Sequence, residues 1–220
     1  MRVKRGECAY CGERRELTRD HVPPKCLFSK PRPPDLVTVP CCEPCNRELS
    51  KHDEYFRIAI TTGIDATKFP RENANSIRAI NSLSDPARQG FARSLIQNYE
   101  RNPGRLRVDS GRIKTVLHRT ARGLLYHHKH IRLPDTNTVL FRVWPITPSM
   151  NIAPQGRDWI NRLEGNLTTI GQGVFQYSFE PFEPPDPFGT MWLMRFYQKR
   201  TFFCLTASAE SRPVQTSRDD

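Results

Sequence analysis

The sequence Cys8-Ala9-Tyr10-Cys11 begins the stretch that decides the fold, because a second Cys-x-x-Cys motif, Cys42-Glu43-Pro44-Cys45, follows it. Asp20-His21 lies between the two motifs, and Asn46 directly follows the second. Two short-range thiolate pairs that meet across a longer loop are typical of a closed, tetrahedral structural zinc site. Since such a site has no open coordination position, we expect its role to be the positioning of Asp20, His21 and Asn46.

The remaining cysteines leave one alternative open in this ligand set. Cys41 adjoins Cys42, so Cys41 and Cys45 could also form a ligand pair with a three-residue spacing. We prefer Cys42 because its spacing matches that of the first motif. Cys26 and Cys204 have no partner at ligand spacing, and we expect both to be small buried side chains.

The compartment that the sequence predicts favours a metal over disulfides. The opening residues, Met1 to Arg5, are mostly charged and do not form a signal peptide. No segment approaches the ~20 apolar residues of a membrane span. We therefore expect a cytoplasmic protein without a membrane partner, in which thiols stay reduced.

Together, the two motifs, the Asp-His pair and the Cys-Asn step resemble the HNH, or ββα-metal, endonucleases with a treble-clef zinc site. The resemblance is to their zinc-stapled type and covers roughly residues 8–57. It implies that Asp20 and Asn46 hold a catalytic divalent ion such as Mg²⁺, that His21 is the general base, and that the products carry a 5′-phosphate. Two features of the family are missing, since no second histidine follows Asp20-His21 and Leu49 replaces a glutamate one turn after Asn46. We therefore do not carry over the junction-resolving activity found in that type.

The residue types agree with this chemistry. Hydrolysis of a phosphodiester needs an aimed nucleophile and neutralisation of charge on the phosphate, and a hard divalent cation with oxygen ligands suits the second task. Asp20 offers a carboxylate oxygen and Asn46 an amide oxygen. A histidine with the ordinary pKa of ~6.5 is largely neutral at cytoplasmic pH, so His21 can accept a proton from water.

One continuous helix is predicted from Pro44 to Ile60, because no helix breaker occurs before Gly63. Asn46, Ser50, Asp53 and Arg57 fall on one polar stripe of that helix. Asp53 lies about 10 Å along the helix from Asn46, which is too far to share one small metal ion. Asp53 is therefore expected to support the metal site indirectly or to pair with Arg57 or another base, with a solvated carboxylate as the alternative.

The predicted fold class is α+β, with four segments. They are a zinc-stapled HNH nuclease module (1–63), a helical basic segment (64–132), an antiparallel β-rich region (133–206) and a disordered tail (207–220). Within them we expect a short strand at 36–39, helices at 73–83, 86–100 and 157–163, and strands at 138–144, 173–179 and 191–206. The last of these contains a hairpin turn at Gln198-Lys199-Arg200.

The chain carries 34 basic and 23 acidic residues, and the excess is concentrated in residues 101–132, which hold nine basic residues and one acidic residue. Asp109 or Ser110 is predicted to cap a helix there. Arg112, Arg119 and Arg122 would gather on the face opposite its apolar residues. Such a face is expected to bind nucleic-acid phosphates, with an ordinary solvated face as the alternative.

The sequence therefore predicts a metal-dependent HNH endonuclease that acts on DNA. A zinc protein that binds nucleic acid without cleaving it is one alternative. An RNA-cleaving toxin or defence nuclease on the same scaffold is another.

Overall fold

The computed structural model describes residues 4–61, 64–81, 109–133, 139–147, 150–181, 186 and 188–208. This part of the chain has an α+β fold, as predicted, and contains two antiparallel sheets. In chain order the elements are β1 (Lys4–Glu7), β2 (Arg14–Val22), a 3₁₀ turn (Lys25–Leu27), β3 (Val37–Cys42), α1 (Glu43–Ser50), α2 (Asp53–Thr61), α3 (Pro70–Asn81), α4 (Ser110–Lys129), β4 (Val139–Ile146), α5 (Pro154–Glu164), β5 (Thr168–Ile170), β6 (Phe175–Pro181), β7 (Thr190–Phe196) and β8 (Arg200–Ser208).

The first sheet has the strand order β1-β2-β3 and carries the beginnings of both cysteine motifs. Cys8 follows β1 directly, and the turn back into β2 uses Gly12 at a φ of +78°, a conformation that glycine adopts without steric cost. Cys42 is the last residue of β3 and the N-cap of α1, where Pro44 occupies the first turn. The sheet therefore brings the two motifs to the same end.

The predicted helix from Pro44 to Ile60 is wrong in one respect, since it is divided into α1 and α2. The amide of Lys51 bonds to the carbonyl of Glu48 at 3.4 Å, which closes α1, and α2 restarts at Asp53. None of the α1 residues is buried, whereas six of the nine residues of α2 are. The break at Lys51 and His52 separates α1, which stays at the surface, from α2, which enters the core.

The second sheet has the strand order β4-β8-β7-β6-β5. The predicted hairpin is confirmed, but its turn lies at 197–199, one residue earlier than predicted, because Arg200 already pairs with Phe196 in the sheet. The predicted helix at 157–163 lies within α5. The three-residue strand β5 was not predicted. Helix α5 covers one face of the sheet, where Leu163 packs in a cluster with Met191 and Phe203.

The other side of this sheet joins the core of the N-terminal half. The rings of Phe56 and Phe196 meet edge to face at 5.1 Å, and the Tyr197 hydroxyl donates to the Leu27 carbonyl at 2.8 Å. One apolar cluster thus contains residues from three of the predicted segments, 1–63, 64–132 and 133–206. The division into those segments stays a prediction about the organisation of the chain.

The remaining predictions concern chain ends and one helix. The predicted helix at 73–83 begins earlier, at Pro70, and the helix predicted at 86–100 lies outside the described residues. Disorder was predicted from Ala207, but Ala207 and Ser208 belong to β8; the rest of that tail lies outside the described residues. Within the described ranges, the helices lack the combination of length and apolar character that a bilayer crossing requires.

Candidate metal centre and adjoining pocket

Four cysteines, Cys8, Cys11, Cys42 and Cys45, form a cluster in which all sulfur atoms lie within 4.8 Å of one another. The sulfurs of Cys11 and Cys42 are 3.8 Å apart. A tetrahedral zinc ion with sulfur ligands at about 2.3 Å keeps those sulfurs about 3.8 Å from each other. The cluster could therefore hold a metal ion such as zinc.

The preference for Cys42 over Cys41 is confirmed, since Cys41 is not part of the cluster. The Cys41 thiol donates instead to the carbonyl of Cys42 at 3.3 Å. Cys26 and Cys204 are also outside the cluster, as predicted. Cys204 is buried, and Cys26 is half-buried with its thiol 3.6 Å from the carbonyl of Asp53.

The backbone around the cluster favours a thiolate at Cys8. Burial alone would raise the pKa of this thiol, but backbone N–H groups, including those of Tyr10 and Cys42 at 3.4 Å, together lower it to about 7. Burial raises the pKa of Cys11 and of Cys45. Four close sulfurs cannot all ionise without a compensating cation, and a bound metal supplies it by replacing their protons.

Helix α1 connects this cluster to a pocket of about 360 Å³. Cys45 belongs to the cluster, and the next residue, Asn46, lines the pocket. The complete lining is Arg19, Asp20, His21, Lys25, Glu43, Asn46, Arg47, Ser50, Asp53 and Arg119. The three residues predicted to do chemistry, Asp20, His21 and Asn46, therefore share one pocket. Of the predicted polar stripe, Asn46, Ser50 and Asp53 line the pocket, whereas Arg57 does not and lies near Glu54 instead.

Asp20 is buried near the end of β2, and both of its carboxylate oxygens carry hydrogen bonds. The Tyr10 hydroxyl donates to Oδ2 at 2.6 Å, and Nε of Arg119 donates to the same oxygen at 2.9 Å. Nη2 of Arg119 donates to Oδ1. The side chains of Asp20 and Arg119 are each only 3% exposed, so this is a buried ion pair with nearly complete hydrogen bonding.

Asp53 is the second anion of this network. Nη1 of Arg119 donates to the two carboxylate oxygens of Asp53 at 2.8 and 3.1 Å. Burial raises the pKa of Asp53 to about 6, although Arg119 acts in the opposite direction. Arg119 thus bridges two carboxylates at the pocket wall, and Asp53 fulfils the prediction that it would pair with a base.

Neighbouring packing explains how Arg119 reaches Asp20. A Cβ atom at Gly123, one turn further along α4, would lie 2.5 Å from Cγ2 of Val22 and 3.0 Å from the Tyr10 hydroxyl. Only glycine permits this close approach of α4 to the end of β2. The end of β2 carries Asp20, so the approach places it within reach of Arg119.

His21 is half-buried and makes no hydrogen bond or ion pair with the described residues. Burial lowers the pKa of His21, and the nearby charge of Lys25 adds to the effect. The imidazole is therefore neutral at neutral pH. Asn46 donates through Nδ2 to the Thr18 hydroxyl at 3.3 Å, which leaves its carbonyl oxygen as the group that could bind a ligand.

The prediction of a basic surface face on α4 is wrong for two of its three arginines. Arg119 and Arg122 are buried, because α4 packs against both sheets and α2 and has little free surface. Arg122 donates to the carbonyls of Leu133 and Tyr10, at 2.9 and 2.6 Å. Arg112 is more exposed. Its Nε lies 3.3 Å from Oδ2 of Asp109, and its guanidinium lies over the Tyr55 ring. Of the two predicted N-caps of α4, Asp109 is the one observed, and its side chain accepts hydrogen bonds from the first backbone amides of the helix.

Sequence reasoning missed two exposed cations at the pocket, Arg19 and Lys25. Each carboxylate of the pocket already has a basic partner, since Asp20 and Asp53 contact Arg119 and Glu43 contacts Arg47. Within the described part of the chain, Arg19 and Lys25 make no ion pair. Arg119 serves two carboxylates, so the whole lining holds four basic and three acidic side chains, and its net positive charge suits an anion.

Comparison with known proteins adds nothing to this geometry. No protein-family model matches the sequence, and neither a curated protein nor a solved structure is significantly similar to it.

Proposed function

We propose that this protein is a metal-dependent endonuclease of the HNH type that hydrolyses phosphodiester bonds in DNA. The observation that carries the proposal is the meeting of Asp20, His21 and Asn46 in one pocket, joined by α1 to a four-cysteine cluster. A structural site that merely bound zinc would need none of these three residues. In the proposal zinc occupies the cysteines and stabilises the sheet end and α1.

His21 is the proposed general base. Its imidazole lines the pocket, is neutral at neutral pH and has no protein partner in the described ranges, so either ring nitrogen can accept a proton from an attacking water molecule. A general base held in place contributes about 10²- to 10⁴-fold to a rate. Substitution of His21 should therefore reduce cleavage strongly without affecting the cysteine cluster.

A divalent ion of the Mg²⁺ type is the proposed catalytic cofactor, and the donor set fits it in kind. Asp20 and Asn46 offer a carboxylate and an amide oxygen in the same pocket, which are ligands that hard cations prefer. When bound, the ion would neutralise charge on the phosphate and the leaving oxygen. Arg119 already donates to both oxygens of Asp20.

Arg19 and Lys25 are the proposed phosphate-binding residues. Both line the pocket, are exposed and lack an acidic partner among the described residues. A DNA backbone would bring phosphate charge to them and release bound counterions. This role replaces the one expected of Arg119 and Arg122, which are committed to interior contacts.

One observation favours a second candidate, a zinc protein that binds nucleic acid without cleaving it. The buried pairing of Asp20 with Arg119 and Tyr10 satisfies this carboxylate in the absence of any metal. In that case the basic pocket would still bind phosphate, but no bond would be broken.

Plasmid nicking distinguishes the two candidates. Zinc-loaded protein is incubated with supercoiled plasmid and Mg²⁺, and His21→Ala is compared with the parent. His127→Ala is the matched control, because His127 is exposed on α4 and does not line the pocket. The nuclease proposal expects nicking by the parent and the control only, with equal zinc content in all three. Parallel digests of structured and single-stranded RNA test the substrate, and a preference for RNA would overturn the assignment to DNA.

A further inference from the structure

We propose that Asp20 is a shared site for two cations, so that Arg119 and the divalent ion compete for its carboxylate. This inference rests on the proposed function, since it concerns the same metal site. Arg119 would hold Asp20 in the metal-free protein and give up that contact when the ion binds.

The Asp20 carboxylate has little free capacity for a second cation. An ionised carboxylate has about four lone-pair positions for donors or metals. Three are used, by the Tyr10 hydroxyl and by Nε and Nη2 of Arg119. A divalent ion on the same oxygens would lie against a guanidinium that is itself bonded to them, and the two like charges repel. Asp20 therefore binds either Arg119 or the divalent ion strongly, but not both at once.

Asp53 gives Arg119 a second carboxylate partner. Nη1 of Arg119 bonds to both oxygens of Asp53, at 2.8 and 3.1 Å. These bonds use a different nitrogen from the two that contact Asp20. Asp53 is also more accessible, with 18% of its side chain exposed against 3% for Asp20. Arg119 can thus leave Asp20 and keep a charge partner, so the exchange does not strand a buried guanidinium.

Pairing with Arg119 would lower the apparent affinity of Asp20 for the divalent ion. When the state that can bind a ligand is only a fraction of the population, the apparent dissociation constant rises by the inverse of that fraction. A minor state of about 1–10% weakens binding roughly 100- to 10-fold. Arg119 would therefore set the ion concentration at which the site fills, and keep Asp20 paired until then.

Mn²⁺ binding tests this directly, because electron paramagnetic resonance counts free Mn²⁺ without reference to activity. Zinc-loaded parent, Arg119→Gln, Arg119→Lys and Asp20→Asn are titrated with Mn²⁺. We expect Arg119→Gln to bind at least about tenfold more tightly than the parent, in line with the fraction argument above. Arg119→Lys keeps the charge but not the paired hydrogen bonds, so its Mn²⁺ affinity should lie between those of the parent and Arg119→Gln. Asp20→Asn should remove the binding.

A second variant keeps the test decisive if Arg119→Gln does not fold. Asp53→Asn removes the second anion of Arg119, so the guanidinium should hold Asp20 more tightly and Mn²⁺ should bind several-fold more weakly. A merely structural Arg119 would leave the Mn²⁺ affinity of both variants at the parent value, and that result overturns the competition while leaving the metal site intact. If neither the parent nor any variant binds Mn²⁺ in a way that depends on Asp20, the metal site of the proposed function is overturned, and the competition with it.

Discussion

Arg119 and Asp20 are 99 residues apart in the chain, yet Nε of Arg119 donates to Oδ2 of Asp20 at 2.9 Å in the interior of the protein. This pair ties the long helix α4 to the strand that carries the candidate catalytic residues. The adjoining contacts of Tyr10, Val22 and Gly123 belong to the same junction. The pocket is therefore completed by a part of the chain far from the cysteine motifs.

Removal of zinc should unfold the N-terminal half. Structural zinc contributes about 10–16 kcal/mol of apparent folding free energy in small modules, which is comparable with the whole stability of a domain. Zinc analysis and circular dichroism before and after chelation check this, with Cys11→Ser expected to lose the metal. Cys26→Ser is the control outside the cluster. Unchanged dichroism after complete removal of zinc would contradict a structural role.

Loss of Arg19 and Lys25 should weaken DNA binding mainly at low salt. If each side chain contacts one phosphate, Arg19→Ala/Lys25→Ala should reduce the salt slope of log K by about 2. Fluorescence anisotropy over a range of KCl concentrations measures the slope. Lys199→Ala/Arg200→Ala removes the same charge at the junction of the β7–β8 turn with β8, outside the pocket lining, and should leave the slope unchanged. Equal slopes for the two double variants would show that the pocket cations do not bind phosphate.

Gly123→Ala should destabilise the protein, although alanine favours a helix by up to about 1 kcal/mol over glycine. The new methyl would lie 2.5 Å from Cγ2 of Val22, and overpacking of this kind costs about 1–3 kcal/mol. Urea unfolding of zinc-loaded protein measures the difference. Gly165→Ala at the end of α5 is the control, because its Cβ would have no neighbour closer than 3.5 Å among the atoms around it. Equal or higher stability of Gly123→Ala would mean that α4 does not require this close approach.

Tyr10→Phe should cost roughly 1.5–3 kcal/mol of unfolding free energy, the range for a hydrogen bond to a charged group. The variant removes the donor to Asp20 and keeps the ring that lies beneath Arg122. Tyr126→Phe is the matched control, because the Tyr126 hydroxyl has no hydrogen bond within the described ranges. Similar urea midpoints for the two variants would count against the importance of the Tyr10–Asp20 contact.

The sequence was sufficient for features that depend on local spacing. The cysteine cluster follows from two Cys-x-x-Cys motifs, and the choice of Cys42 over Cys41 followed from matched spacing alone. Strands β6 to β8 and helix α5 follow from residue type and periodicity. The cap of α4 by Asp109 follows from the ordinary preference of helix starts.

Features that depend on distant partners could not be predicted in this way. Leu49, Phe56 and Ile60 keep a helical period through the break after Ser50, so the pattern hides the interruption between α1 and α2. Arg119 and Arg122 have the spacing of a surface face on α4. Their burial depends on partners such as Asp20 and the Tyr10 carbonyl, which no local pattern connects to them.

The most direct test of the account is a single-turnover measurement of plasmid nicking by zinc-loaded protein in Mg²⁺, with parent and His21→Ala assayed with and without added imidazole. We expect the parent to nick the plasmid, the variant to be slower by about 10²- to 10⁴-fold, and imidazole to restore part of the lost rate. A His21→Ala protein that nicks as fast as the parent, at equal zinc content, would contradict the assignment of this pocket as a nuclease site.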